Sequence, residues 1–384
     1  MRAVHVITPG DHFSARTGSA IPTVVDGLSR FAPLATPRAA VVVSGSSYPD
    51  RYDSADVLEY AQVCPLAPLA ARAQRHVDGA LGVMGLPRWG ARREWSVALT
   101  GQSAWPESVI VGHNAVQLMP LVERQRHRGV LYFHNRLLRS YGRREADRVL
   151  GDTAAFVFVS SWLAQQEAER VPKRLHNRVH VVHNGVDAEA FRRVGALERG
   201  ELLTVMFVGR MIRDKGADVL VEAVARLGRP DIRLVLVGSA GFDPLAPPDE
   251  YERTVRRAAA TLRRPAETLP FVPRPEVVRL LQGADVTVVP SRWEEPFALT
   301  VLEGMAAGSV VVASRIGGIP EAMGDAGLLV TPNDADELAR VLEALADDEG
   351  YRIREARRCV EHARSHDWSR ASLAFHEVLR HIEG

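Results

Sequence analysis

The stretch Leu202-Leu203-Thr204-Val205-Met206-Phe207-Val208-Gly209-Arg210-Met211-Ile212-Arg213-Asp214-Lys215-Gly216 decides how this chain is read. An apolar run ends in a glycine turn, the pattern of a strand buried on both faces. Behind Gly216, the residues Val219, Leu220, Ala223, Val224 and Leu227 recur at helical spacing, so 217–227 is expected as an amphipathic helix. The unit then repeats. Residues 234–238, 267–271, 286–290, 310–314 and 327–330 read as strands, and 251–262, 275–282, 299–307, 319–323 and 335–345 as helices. Such alternation predicts a doubly wound parallel sheet, with ligand-binding loops at the carboxyl ends of its strands.

The first half carries the same rhythm less cleanly. Residues 3–7, 39–43, 109–112, 129–133, 155–159 and 179–182 read as strands, with helices over 21–30, 136–150 and 161–170. The boundary falls near His183-Asn184-Gly185-Val186-Asp187 and runs into a polar linker, 192–201. The expected domains are 1–187 and 188–365. The tail, 366–384, is expected to be a helix with Leu373, Val378 and Leu379 on its apolar side, packing back on the first domain. Tandem domains of this kind imply a cleft between them.

Composition narrows the class. With 384 residues, 46% hydrophobic and 25% charged, the chain is neither disordered nor a disulfide scaffold. No apolar run nears the roughly 18 residues of a membrane span. The start turns at Thr8-Pro9-Gly10, too soon for a signal peptide. Two distant cysteines, Cys64 and Cys359, fit a cytoplasmic protein. Residues 1–187 hold 22 basic and 16 acidic side chains, and the remainder 26 and 31. A basic first half suits an anionic partner or a weak peripheral contact with a membrane surface, and this balance argues against nucleic-acid binding by the whole chain. Of the 48 basic residues only Lys173 and Lys215 are lysine. Where arginine is the default, a lysine is a candidate for a position that wants a compact ammonium, which draws attention to Lys215.

Two segments carry chemistry. Arg210 and Lys215 stand five apart on a strand-exit loop, where a fork and a point charge together would hold a diphosphate. The ammonium is expected to be exposed until that ligand arrives. The second segment is Pro290-Ser291-Arg292-Trp293-Glu294-Glu295-Pro296-Phe297-Ala298-Leu299-Thr300-Val301-Leu302-Glu303. Pro296 is expected to start a helix, leaving the amides of Phe297, Ala298, Leu299 and Thr300 open to an anion. Glu303 would lie two turns on, facing the same way as Glu295. A carboxylate in so apolar a helix must be paired or bonded to a ligand hydroxyl.

With these residues in view the chain resembles the glycosyltransferase family 4 enzymes, retaining nucleotide-sugar transferases of the GT-B fold. In that fold two Rossmann-like doubly wound parallel-sheet domains face a central cleft. The likeness rests on His-Asn-Gly-Val-Asp at 183–187, Gly-Arg and Lys-Gly at 209–216, Leu-Val-Gly at 236–238, Gly-Ala-Asp-Val at 283–286 and the spacing from Glu295 to Glu303. It implies that Arg210 and Lys215 hold the donor diphosphate. Glu303 would bind the ribose, and Glu295 a hydroxyl of the donor sugar. The 297–300 amides would meet the sugar or distal phosphate, and the backbone at Phe271 and Val272 the base. Gly209 and Gly238 fall in the family's donor-binding turns. Gly18 and Ser19 match its glycine loop, and His134 a histidine beside the reacting sugar. Ala298 stands where the family usually has glycine, Ser19 replaces a second glycine, and Pro273 replaces a glycine before the next helix.

The implied substrates are a nucleotide sugar, UDP-linked by preference, and an acceptor hydroxyl, with no cofactor and no metal. Asp334-Ala335-Asp336 reads as a helix cap rather than a metal–nucleotide motif. His176, His180 and His183 do not share one strand face, and Gly238-Ser239-Ala240-Gly241 is not a dinucleotide fingerprint. A silent nucleotide-sugar binder and a GT-B-fold epimerase are the alternatives. A phosphorylase would need a cofactor lysine in addition.

Overall fold

The fold was read from a computed structural model, which describes residues 1–64, 66–193, 195 and 202–383. Of the expected linker, 194 and 196–201 lie outside the described residues. The chain divides into two compact units, Met1–His183 together with the C-terminal stretch from Ala371, and Asn184–Arg370.

In the first unit the elements run β1 (Arg2–Val6), α1 (Ala20–Arg30), β2 (Ala40–Ser44), β3 (Asp56–Tyr60), α2 (Pro68–Val83), α3 (Trp89–Ala98), β4 (Ser108–His113), β5 (His127–Phe133), α4 (Arg143–Leu150), β6 (Ala155–Phe158), α5 (Ser161–Ala168) and β7 (Val179–Val181). The strands form one parallel sheet in the order β3-β2-β1-β4-β5-β6-β7. Val109, Ile110, Val111, Val130, Leu131, Phe156 and Val157 are sealed from solvent, which is why these strands read as unbroken apolar runs.

The second unit runs α6 (Ala188–Phe191), β8 (Leu203–Val208), α7 (Ala217–Leu227), β9 (Ile232–Val237), α8 (Glu250–Ala260), β10 (Glu267–Leu269), α9 (Arg274–Gln282), β11 (Val286–Val289), α10 (Leu299–Ala306), β12 (Val310–Ser314), α11 (Ile319–Met323), β13 (Leu328–Val330), α12 (Ala335–Asp347) and α13 (Glu349–Ser365). Its parallel sheet has the order β10-β9-β8-β11-β12-β13. The last helix, α14 (Trp368–Glu383), counts with the first unit from Ala371 on. Each sheet changes direction once, between β1 and β4 and between β8 and β11, and loops at such switch points are where open α/β sheets bind ligands.

Three expectations are corrected. The helix expected over 136–150 begins at Arg143, after a short 3₁₀ turn at Leu138–Ser140 and the extended Gly142. Leu373, expected on the apolar side of the tail, is half exposed, whereas Phe375, Val378 and Leu379 are buried. Pro296 does not start a helix. Gly318 donates its amide to the Glu295 carbonyl at 2.6 Å, and Ala298 remains extended, so α10 starts at Leu299. Asp334 caps α12 by accepting from the Glu337 amide at 2.8 Å, as its sequence position implied.

Candidate active site

The second unit gathers its chemistry at the switch point. After β8 the chain passes Gly209 and Arg210, makes a 3₁₀ turn at Arg213–Lys215 and enters α7 through Gly216. Gly216 has φ +69°, and a Cβ there would overlap the Pro290 carbonyl oxygen. Only glycine lets this turn lie against the loop after β11. Gly216→Ala should therefore cost about 2 kcal/mol or more, since it adds a left-handed penalty to a clash with backbone. Chemical denaturation would measure it, and an unchanged midpoint would refute the tight packing.

That packing brings Lys215 to the carboxylate of Glu295. Lys215 Nζ pairs with Glu295 Oε1, and Ser291 Oγ donates to the same oxygen at 2.7 Å. Glu295 is buried, while the lysine side chain is 24% exposed. The ammonium is therefore engaged and half-buried without a ligand, which corrects the expectation that it stands free. Arg292 braces the turn. Its amide donates to the Asp214 carbonyl at 2.8 Å, and its guanidinium grips both Asp218 oxygens at 2.8 Å. Tyr251 Oη donates to Asp218 at 2.6 Å. Arg210, in contrast, is exposed with no side-chain partner among the described residues.

Glu303 sits in α10, one turn after Leu299, and is buried. Gly304 beside it lets the helix press on β11, because a Cβ there would lie 2.9 Å from the Thr287 Cβ. Arg274 Nη1 lies 2.7 Å from Glu303 Oε1, an ion pair without hydrogen-bond alignment. The two glutamates thus have separate partners, and α10 does not carry both. At the helix start, the amides of Ala298, Leu299 and Thr300 have no partner among the described residues. Phe297, just before them, is buried.

Gly238, at φ +135°, approaches so close to Gly209 that a Cβ would overlap the Gly209 carbonyl oxygen. Phe271 and Val272 follow β10, and the Phe271 amide donates to Ser239 Oγ at 3.1 Å. That amide is taken internally, so it is not open to a base edge. Among the described residues, no group of three or more His, Cys, Asp or Glu side chains could hold a metal ion.

The first unit places its candidates after the carboxyl ends of β1 and β5. Gly18 is exposed, and Ser19 occupies the cap position of α1, its amide donating to Thr17 Oγ1 at 3.1 Å. His134, directly after β5, is buried and belongs to a row. His134 Nε2 meets His113 Nδ1 at 2.8 Å, and His113 Nε2 meets His5 Nδ1 at 2.9 Å. Register explains the row. His5 pairs with Val111 and His113 with Tyr132, so His5, His113 and His134 each step two residues along one sheet face. Asn114, at φ +54°, accepts from the His134 amide at 2.8 Å and fixes its backbone. Burial pushes the His5 and His134 imidazoles down to about 3, and His113 also falls well below the ordinary value.

Sequence reasoning missed Ser291 and Arg274 as partners of the two glutamates, and His113 and His5 behind His134. The histidines did leave a trace. Three strand exits read His-Asn, at 113–114, 134–135 and 183–184.

Fold and site together describe tandem Rossmann-like units, the second carrying cations and helix-start amides at its switch point. Residues 189–366 match the family model for glycosyl transferases group 1. The resemblance to family 4 glycosyltransferases drawn from the motifs holds. The D-inositol 3-phosphate glycosyltransferase of Corynebacterium aurimucosum is 38% identical over 181 residues, 45% of this chain and 42% of that protein. The D-inositol 3-phosphate glycosyltransferase 1 of Catenulispora acidiphila is 32% identical over 260 residues, 62% and 58% of the two chains. The chain spans about half the length of the curated relatives it matches. Among solved structures, sucrose-phosphate synthase from Thermosynechococcus elongatus superposes with TM-score 0.74 at 20% identity, over 100% of this chain and 99% of that one. Anabaena HepE in complex with UDP-glucose gives 0.70 at 16%, over 100% of each chain. At these identities the likeness is one of fold, and it supports the GT-B architecture.

Proposed function

We propose that the chain is a retaining glycosyltransferase that moves a hexose from a nucleotide diphosphate sugar to an acceptor hydroxyl and requires no metal. The observation that carries this is the Lys215–Glu295–Ser291 cluster, set beside the amides of Ala298, Leu299 and Thr300 and the Arg210 guanidinium, which have no partner among the described residues. A UDP-sugar is the first donor to test, since UDP-glucose is the ligand named for HepE.

In this reading the sugar–phosphate bond breaks as the acceptor oxygen bonds to the anomeric carbon from the same face. A departing phosphate oxygen takes the acceptor proton, so atoms and charge balance. Charge grows on the diphosphate, and Arg210, Lys215 and the amides of 297–300 oppose it. Lys215 would turn partly from Glu295 to phosphate, freeing Glu295 to accept from a sugar hydroxyl. Glu303 would exchange its contact with Arg274 for the ribose hydroxyls. With the Phe271 amide occupied, base contacts would fall to the Phe271 carbonyl and Val272. Gly209 and Gly238 would shape the donor turn. Gly18, Ser19 and His134 keep the roles the resemblance implies. An inositol phosphate belongs in the acceptor panel because the relatives are named for one. Surface polysaccharide, glycoconjugate or natural-product assembly is the setting such an activity would serve.

Calorimetry with bare UDP, paired with kinetics on a donor panel, tests the assignment. Glu303→Ala should weaken UDP itself, whereas Glu295→Ala should spare UDP and cut kcat. Each effect should be about 10- to 150-fold, the worth of one charged hydrogen bond. The reverse pattern would swap the roles. EDTA should leave turnover within about twofold, and a loss restored by Mn²⁺ or Mg²⁺ would defeat metal independence. Conversion of the sugar without any acceptor would favour an epimerase.

A further inference from the structure

Helix α2 is built inside out. Its inward side carries Ala71, Gln74, Asp78 and Gly82, two of them polar. Asp78 is buried and serves the structure, accepting from the Gly90 and Ala91 amides at 3.0 and 2.8 Å where α3 begins. The apolar side chains point outward. Leu69 is 84% exposed, Val83 91%, Met84 65% and Trp89 65%, with Val77 and Leu86 about half exposed. Leu69, Ala73, Val77, Ala80 and Met84 recur at helical spacing along this outer side. In α1 and α7, by contrast, the apolar side is buried.

Charge says what would cover this surface. Between 61 and 93 the only carboxylate is Asp78, which faces inward, against Arg72, Arg75, Arg88, Arg92 and Arg93. Arg72, Arg75 and His76 are exposed beside the apolar row, with no side-chain partner among the described residues. A second copy of the chain is a poor occupant. A two-fold contact would set Arg72 and Arg75 against their own duplicates, with no carboxylate in the segment to pair them. Exposed aliphatic side chains with one tryptophan, flanked by unpaired arginines, are the composition of a helix lying in a lipid interface. No described helix is long and apolar enough to cross a membrane.

We propose that α2, with Leu86 and Trp89 after it, docks this protein on the surface of an anionic lipid bilayer. Leu69, Val83, Met84 and Trp89 enter the headgroup boundary, while Arg72 and Arg75 meet lipid phosphates. The surface alone carries this, so it stands or falls independently of the transferase reading.

The full-length chain should co-sediment with vesicles of phosphatidylcholine and phosphatidylglycerol but not with phosphatidylcholine alone. Added salt should weaken the binding. Brominated lipid should quench Trp89, and Trp89→Phe should remove that component. Arg72→Gln and Arg75→Gln should each weaken binding about fivefold. Val83→Ser with Met84→Ser should weaken it at least about tenfold. Melting temperatures without vesicles should not move, because every altered side chain is exposed. Equal binding to neutral vesicles, or none to anionic ones, overturns the proposal. So does a dimer in light scattering that Val83→Ser with Met84→Ser dissociates, since the surface would then belong to a second copy.

Discussion

Lys215→Ala is expected to lower turnover by about 10²-fold or more. Loss of a cation that meets developing phosphate charge is worth roughly 3 kcal/mol in a transition state. The structure adds a second effect. Lys215 neutralises the buried Glu295, which without it keeps only the Ser291 hydroxyl on that oxygen. Leaving a carboxylate unpaired is destabilising, although the lysine's partial exposure moderates the loss to about 1–2 kcal/mol. The variant should therefore melt earlier as well as turn over slowly, and Glu295→Gln in the same chain should restore stability without restoring kcat. Lys173→Ala is the control and should be silent. Near-parental kcat/KM with a verified donor would end the assignment of Lys215 to phosphate.

Acid should unfold this protein unusually early. His5 and His134 remain neutral in the fold down to about 3 because burial opposes their charge. In the unfolded chain each takes a proton near 6.5. Below that pH the unfolded state binds protons that the folded state refuses, so stability falls as pH drops from about 6.5 toward 3. At pH 4.5 the loss amounts to roughly 5 kcal/mol for the two imidazoles together. That is comparable with the whole stability of many domains. Denaturant titrations at several pH values would show the slope. In His5→Phe, which keeps an aromatic ring in the buried site, the slope should lessen by roughly a third, the share of one of the three buried imidazoles. A variant as acid-sensitive as its parent would remove buried imidazoles as the cause.

Legibility followed burial. β8, β11 and β12 are sealed on both faces and their sequences announce them; β3 is an edge strand with Asp56 and Glu59 exposed, and it leaves no such trace. α13 is dominated by arginine and glutamate, and α2 turns its apolar residues away from the core, so neither shows a core-facing period. In the site, residues close in sequence were readable: Arg210 with Lys215, and Glu295 with Glu303. Their partners were not. Arg274 reaches Glu303 from another helix, and the Lys215 pair spans 80 positions. Only folding brings such groups together, and nothing local distinguishes Arg274 from the other arginines on the surface.

The row of three histidines obeys a parity rule. A neutral imidazole owns one N–H, so His113 gives a proton to one neighbour and accepts from the other. Both hydrogen bonds must then run in the same direction. If they run outward from His5, the free Nδ1 of His134 is a donor; if they run inward, it is an acceptor. The two nitrogens at the ends of this row, His5 Nε2 and His134 Nδ1, therefore always have opposite character: what is presented beyond β5 is tied to what is presented beyond β1, two strands away, and the three rings change state together or not at all.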